Sequence, residues 1–241
     1  REDCVLAGVE EAARVLGKTG ARVVWSRRSG ERLVADEPFL RAEGTAAALH
    51  MAWKVSLNLC DHLSGVATKT RAIVDAAHGA NPACEVLTTR KSMPGVKDLL
   101  TKAVTCGGAF PHRLGASETV LVFDHHITFM GGFEAFLEAL PALRGRCVEK
   151  KLFVEAGPDE ARRLAEAGVD GIQLDKLPVD DLAALVPELR TIDPHLTLIA
   201  SGGINLQNAA AYAATGVDGL ATTASFTAKP IDMSVRMKRV E

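Results

Sequence analysis

Residues 151–203 read KLFVEAGPDEARRLAEAGVDGIQLDKLPVDDLAALVPELRTIDPHLTLIASGG. Three short apolar runs, Leu152–Glu155, Gly171–Leu174 and Leu196–Ala200, alternate with Pro158–Ala167 and Val179–Leu189, whose apolar residues recur at helical spacing. Strands apolar along their whole length, with helices between them, predict a parallel sheet covered on both faces. The same alternation continues outward. Glu85–Thr88, Thr119–Phe123 and Gly219–Thr222 are further strands; Gly132–Leu140 and Leu206–Thr215 are further helices. Six such strands predict an open or closed α/β (TIM-like) barrel more than a doubly wound sheet, and no GxGxxG follows any of them.

The chain before Glu85 has another character. Residues 2–17 place Val5, Leu6, Val9, Ala12, Ala13 and Leu16 on one helical face, with Gly17 as a stop. Short strands follow at Ala21–Ser26 and Arg32–Ala35, with a further extended piece at Phe39–Ala42. Thr45 to about Leu63 predicts a long apolar helix, broken at Ser64-Gly65 before a second helix over Thr68–Ala77. The expected division is a small α+β lobe over residues 1–50, on which 226–241 pack, and a barrel over 51–225.

The polar residues that close the strands carry the functional signal. Thr89, Arg90 and Lys91 follow the first strand; Asp124, His125 and His126 follow the second. The third ends in Glu155 and the fourth in Asp175, followed by Lys176. The fifth ends in Ser201-Gly202-Gly203 and the sixth in Thr222-Thr223. The carboxyl ends of barrel strands converge on one mouth, where active sites form. Any strand must end somewhere polar, so solvated loops are the alternative reading. Chemically useful groups at all six ends favour a site.

Ser201-Gly202-Gly203, ahead of a helix beginning near Asn205, is a candidate phosphate site, because glycines let backbone N–H groups approach an anion. Thr222 and Thr223 are either hydroxyl donors or packed strand residues. Glu155 and Asp175 suit Mg2+, bound directly or through water, or a developing positive charge on a sugar; a structural ion pair to Lys176 or Arg90 is the alternative. His125-His126 lacks a third His or Cys at metal-ligand spacing, which argues against a metal there. Between the first two strands, TTRKSMPGVKDLLTKAVTCGGAFPHRLG (residues 88–115) gathers Arg90, Lys91, His112 and Arg113 around glycine turns. Fixed cations with close backbone approach suit phosphate or carboxylate, although most Lys/Arg clusters merely face water.

Composition excludes several classes. With 241 residues, 47% hydrophobic and 24% charged, the chain is an ordinary globular protein, and its net charge of −2 gives no general drive toward nucleic acid or an anionic membrane. No apolar run approaches a membrane span, and the single tyrosine speaks against base-stacking platforms. Cys4, Cys60, Cys84, Cys106 and Cys147 are odd in number and never spaced as CxxC, so reduced thiols in a cytoplasmic protein are expected.

TRKSMPG followed by GGAFPHRLG resembles the TRKTxPG…GGGxxHRxG signature of the quinolinate phosphoribosyltransferase family. LNLCDHLSGVATKTRAIVDAA (Leu57–Ala77) resembles that family's LNxxxxLSGIATxTRxxVDA. The chain opens inside a REDGxLAG-like stretch, so an N-terminal piece of the family pattern is expected to be missing. The resemblance implies transfer from 5-phosphoribosyl-1-pyrophosphate with Mg2+. It places the ribose 5-phosphate on Ser201, Gly202 and Gly203, and ribose with metal on Glu155 and Asp175. Thr89, Arg90, His112 and Arg113 match substrate-binding positions for an anionic aromatic acceptor, and Lys91 neutralises leaving pyrophosphate. Lys54 comes from a partner subunit, in a homodimer or dimer-based oligomer with a shared site.

Departures from the pattern bear on the acceptor. LVFDHH (Leu121–His126) stands where the family has LIKDNH, so Phe123 replaces a lysine. Trp53-Lys54 replaces an ER pair, which keeps a charge but loses a bidentate fork. Ile199 stands in place of a glutamate, and TTASFTA (Thr222–Ala228) in place of VGALTHS. VFDHH, IQLDKL and TAKPIDMSVRM (Thr227–Met237) resemble the ModD branch, pyrophosphorylases by name, called after molybdenum-transport operons. The expected function is ModD-like phosphoribosyl transfer to an anionic aromatic acceptor. The alternatives are carboxylating nicotinate-nucleotide synthesis from quinolinate for NAD, and a non-catalytic anion or nucleotide binder.

Overall fold

A computed structural model of the chain describes residues 2–115 and 118–239; Arg1, Val240 and Glu241, which the expected lobe and C-terminal segment include, lie outside the described residues. The chain forms two compact units. One comprises Arg1–Val74, Lys91–Phe110 and Thr223–Glu241, the other Asp75–Arg90 and Pro111–Thr222.

In the first unit, β1 (Cys4–Val5) pairs antiparallel with β3 (Arg32–Leu33), and β2 (Arg22–Ser26) with β4 (Leu40–Glu43). The expected helix over 2–17 is shorter: α1 covers Val9–Lys18. Gly8, at φ +86°, turns the chain into it, and a Cβ there would meet Leu63 Cδ1 at 2.8 Å. Val5 and Leu6 are buried ahead of α1, where their apolar character mimicked a helical face. Leu6, Val9 and Leu33 form a core cluster with Ile231, and Met233 packs against it.

The expected break at Ser64-Gly65 does not occur. Helix α2 runs unbroken from Ala46 to Ala80. Ser64 Oγ accepts from Ala7 N–H at 3.0 Å, and a Cβ on Gly65 would lie 2.2 Å from the Lys229 carbonyl oxygen. The small pair therefore permits close approach by two other segments rather than ending the helix. Helix α3 (Lys97–Cys106) ends at Gly107-Gly108, as its pattern predicts. Those glycines are occupied by packing: a Cβ on Gly107 would strike Thr70, and one on Gly108 the Arg71 guanidinium. Their close approach serves packing against helix α2.

The second unit is built on a sheet of β5 (Glu85–Thr88), β6 (Phe110–Pro111), β7 (Val120–Val122), β8 (Leu152–Ala156), β9 (Gly171–Asp175), β10 (Thr197–Ser201) and β11 (Gly219–Thr222). Their order is β6-β5-β11-β10-β9-β8-β7, and the five ladders that run from β5 to β7 are parallel. Each strand from β7 to β11 lies beside its successor, and the first, β5, joins the last, β11. This is barrel topology with a seam. Among the described residues no ladder joins β6 to β7, so of the two forms expected, the α/β barrel is open.

Helices α5 (Phe133–Arg146), α6 (Pro158–Glu166) and α7 (Val179–Ile192) fall between strands as expected; α4 (Asp124–Phe129) was not expected, and α8 is only Ala209–Ala213. Asn205 Nδ2 and Asn208 Nδ2 both donate to the Gly203 carbonyl, and Asn208 Oδ1 accepts from Asn205 N–H. These side-chain bonds hold a turn where a helix from Leu206 was expected.

Side-chain alternation sorts the strands into two faces. Phe153, Leu121, Ile199 and Ala221 form one inner cluster, joined by Leu87 and Phe123. A Cβ on Gly171 would lie 2.2 Å from the Phe153 ring, so β9 drops to glycine where that ring fills the interior. Two residues further along each strand, the same face carries Glu155, Gln173 and Ser201, with Asp175 next on β9. The apolar plug thus forms the floor of the mouth.

Candidate active site

Two hydrogen-bonded pairs line the middle of the mouth. Glu155 stands opposite Gln173 in the β8–β9 ladder, and Gln173 Nε2 donates to Glu155 Oε2 at 2.6 Å. Asp175 stands opposite Ser201 in the β9–β10 ladder, and Ser201 Oγ donates to Asp175 Oδ1 at 2.7 Å. Lys176 N–H donates to the Ser201 carbonyl at 2.8 Å, which ties the two strand-end loops together. Lys176 holds φ +56°, rare for a residue with a Cβ. Its Nζ lies 3.5 Å from Asp175 Oδ2 but is exposed, so water screens the pair.

The two glycines after Ser201 differ. Gly202 has φ +89°, and a Cβ there would fall 2.5 Å from Lys176 Cγ and 2.9 Å from Asp175 Oδ1. Gly203 has φ +73° and open space where a Cβ would point. Gly202 is therefore required by the protein's own packing, while the space beside Gly203 is open. Thr222 is buried, and its Oγ1 donates to the Ile204 carbonyl at 2.6 Å, bracing that loop from the neighbouring strand.

The cationic side spans the seam. His112 N–H donates to the Thr88 carbonyl and Thr89 N–H to the Thr222 carbonyl, which set both turns on the strand ends. The Arg113 guanidinium lies 5.8 Å from the centroid of the Phe123 ring, so the edge beyond β6 touches the edge ending in β7. Phe123 stacks on His125 with centroids 5.5 Å apart, and His125 and His126 are 4.0 Å apart. Phe123 N–H donates to His126 Nδ1 at 2.9 Å, so that nitrogen is unprotonated and the ring caps α4. Burial, then the charge of Arg113, pushes the His112 imidazole below its ordinary 6.5. Burial and neighbouring Arg90 pull Arg113 down, yet a guanidinium stays charged. Among the described residues neither Arg90 nor Arg113 has an ion-pair partner. The mouth thus offers two guanidinium groups outside any ion pair, of which Arg113 feels the Glu118 carboxylate, a neutral imidazole and a π face.

Of the residues expected to form the site, the second unit holds Glu155, Asp175, Thr89, Arg90, His112, Arg113, Phe123, Ser201, Gly202, Gly203 and Thr222. Lys54, Lys91 and Thr223 belong to the first unit. Lys54 is exposed on α2, its Nζ 5.7 Å from the Trp53 ring centroid. Gln173 went unread, although an amide inside an apolar parallel strand was a signal in GIQLD.

Residues 1–64 match the model of the quinolinate phosphoribosyl transferase N-terminal domain, and residues 66–236 match that of its C-terminal domain. The chain belongs to the quinolinate phosphoribosyltransferase family. It is 43% identical over 202 residues to ModD of Rhodobacter capsulatus, a pyrophosphorylase by name, covering 83% of this chain and 77% of that protein. It is 39% identical over 230 residues to the carboxylating nicotinate-nucleotide pyrophosphorylase of Mycobacterium leprae, covering 93% and 79%. The nicotinate-nucleotide pyrophosphorylase structure from Francisella tularensis superposes with a TM-score of 0.88 at 28% identity, covering 97% and 82%. This chain is thus a phosphoribosyltransferase, a pentosyltransferase of this family, which acts on phosphoribosyl pyrophosphate. The donor set fits a metal brought by the substrate. Among the described residues no group of three His, Cys, Asp or Glu gathers to hold an ion unaided. Two carboxylates on adjoining strands match the one or two that Mg2+ takes alongside substrate phosphates.

Proposed function

We propose that this phosphoribosyltransferase carries the phosphoribosyl group to an anionic aromatic acceptor other than quinolinate, as expected of a ModD-like enzyme. The observation that carries the proposal is Phe123 at the end of β7, stacked on His125 with Arg113 over its face. Where the family pattern has a lysine, the site presents a ring. A π face binds an aromatic ring by stacking, whereas an ammonium binds a second carboxylate. The acceptor therefore has fewer carboxylates than quinolinate, and Arg90 and Arg113 bind its remaining anionic group.

In this reading Ser201, Gly202 and Gly203 receive the ribose 5-phosphate, with Gly203's open left-handed turn as the cradle. Thr222 braces that turn, and Thr89 and Thr223 add polar groups at neighbouring strand ends. The acceptor's nucleophilic atom bonds to ribose C1 as the C1–O bond to pyrophosphate breaks, and the electron pair leaves with pyrophosphate. Glu155 and Asp175 face the positive charge that develops on the ribose, and preorganised carboxylates in a sheltered site stabilise it without reorganising. The same two residues would hold Mg2+, which neutralises diphosphate charge when bound. Lys91 is assigned to leaving pyrophosphate and Lys54 to a partner subunit's site in a homodimer. His112, neutral at pH 7, donates or accepts a hydrogen bond to the acceptor rather than pairing as a cation.

The test is pyrophosphate release from phosphoribosyl pyrophosphate and Mg2+ across quinolinate, nicotinate and other aromatic carboxylates. Release with a monocarboxylate and none with quinolinate is expected. Efficient use of quinolinate, with decarboxylation, would instead establish the second reading, synthesis of nicotinate mononucleotide for NAD. The likeness to the Mycobacterium leprae enzyme favours that reading. Phe123→Lys separates the two: a large gain with quinolinate supports our proposal, and a loss supports the alternative. Tight binding of phosphoribosyl pyrophosphate without turnover of any acceptor would leave a non-catalytic binder.

A further inference from the structure

Gln173 is buried in the floor of the mouth, on the inner face of β9. Its Nε2 donates to Glu155 Oε2 at 2.6 Å, while its Oε1 is sealed from solvent with no hydrogen-bond partner. A sealed amide oxygen without a donor costs on the order of 1–3 kcal/mol. The cost follows from what the other end of the amide does. An ionised carboxylate accepts and never donates, so turning the amide over would set oxygen against oxygen. Serving Glu155 forces Gln173 to leave its own carbonyl unserved. Phe153, on the same face two residues before Glu155, fills the space beside Gly171.

We infer that Gln173 is a positioning residue for the reaction: it keeps Glu155 aimed into the mouth. The inference rests on the proposed role of Glu155. A carboxylate that meets positive charge at ribose C1 must be fixed before that charge develops. The amide contributes to that condition, because a short hydrogen bond restricts the carboxylate's rotamer.

The experiment compares Gln173→Met with Glu155→Gln, each in the full chain, with phosphoribosyl pyrophosphate, Mg2+ and the best acceptor from the panel. Gln173→Met keeps the volume and removes the orphan oxygen. Its midpoint of thermal unfolding stays level or rises, while kcat falls about 10–100-fold, as when an outer-shell partner is lost. KM for phosphoribosyl pyrophosphate moves little. A merely structural glutamine would give the opposite, a lower midpoint with kcat intact. Wild-type kcat in Gln173→Met overturns the inference. Turnover retained in Glu155→Gln overturns instead the role of Glu155 on which it rests. If wild type turns over no acceptor, the inference falls with the reaction it serves.

Discussion

The two ends of the barrel strands use the same residue types for opposite purposes. At the amino ends, Asp170 Oδ2 accepts from Leu152 N–H at 2.7 Å. There too, both carboxylate oxygens of Asp218 accept from Arg190 Nη2 at 2.7 Å, and Oδ2 also accepts from Leu198 N–H. Those carboxylates pin the start of a neighbouring strand. At the carboxyl ends, neutral groups of Gln173 and Ser201 donate to Glu155 and Asp175, and among the described residues no ion pair holds Arg90 or Arg113. Charge locked into ion pairs and strand starts is structural. Guanidinium charge outside any ion pair is available to a ligand, as expected of the mouth of an α/β barrel.

Removing one of these guanidinium groups is the sharpest way to break this comparison. Arg90→Ala should lower kcat/KM by about 10²–10³, the range for losing one preorganised charged donor, with thermal unfolding unchanged. Unchanged kinetics would remove Arg90 from the site. Gly202→Ala comes next. Its Cβ meets Lys176 and Asp175 in a left-handed backbone, so about 2–3 kcal/mol of stability should be lost along with activity. Gly203→Ala meets nothing and should cost only about 1 kcal/mol, while weakening phosphate binding; urea unfolding beside phosphate affinity separates the two. At the opposite end, Asp218→Ala should cost about 2 kcal/mol in the same unfolding experiment and leave kcat within about twofold. A large fall in kcat there would erase the distinction between the ends.

The smallest effect is the pH response of His112. Its folded pKa lies below its ordinary value, so around that value the unfolded chain binds more protons. Its contribution to stability is intact above the unfolded pKa of 6.5 and is lost as pH falls through the lowered folded value. His112→Gln should therefore flatten the decline in stability between about pH 7 and 5. An NMR titration of the wild type should place His112 below 6.5 and move it upward when phosphate binds.

Much of this was legible in the chain itself. Strands such as Glu85–Thr88 and Gly219–Thr222 have the expected bounds, because a covered parallel strand must be apolar and must end where water begins. The strand-end groups were readable for the same reason. What escaped the sequence depends on partners distant along the chain. Ser64-Gly65 reads as a helix stop until Ala7 and Lys229 are seen against it, and Gly107-Gly108 reads as a ligand turn until Thr70 and Arg71 fill it. Helix α4 was hidden by two histidines, one of which caps it. Gln173 stood in plain view in GIQLD, but its meaning lies in a carbonyl that nothing meets.

The seam in the barrel divides the site by mechanical security. Strands β8 to β11 are each hydrogen-bonded on both sides, and they carry Glu155, Asp175 and Ser201. Phe123 ends β7 and Arg113 follows β6, the two strands paired on one side only. Amide hydrogens along β9 and β10 should accordingly exchange far more slowly than those of β7, because edge hydrogen bonds open first. On the proposed assignments, the residues that would hold the sugar phosphate sit on strands locked from both sides, and those that would choose the acceptor follow the edges. A lineage of such enzymes can rewrite its margins, and so its choice of partner molecule, while the interior strands go on performing the same transfer.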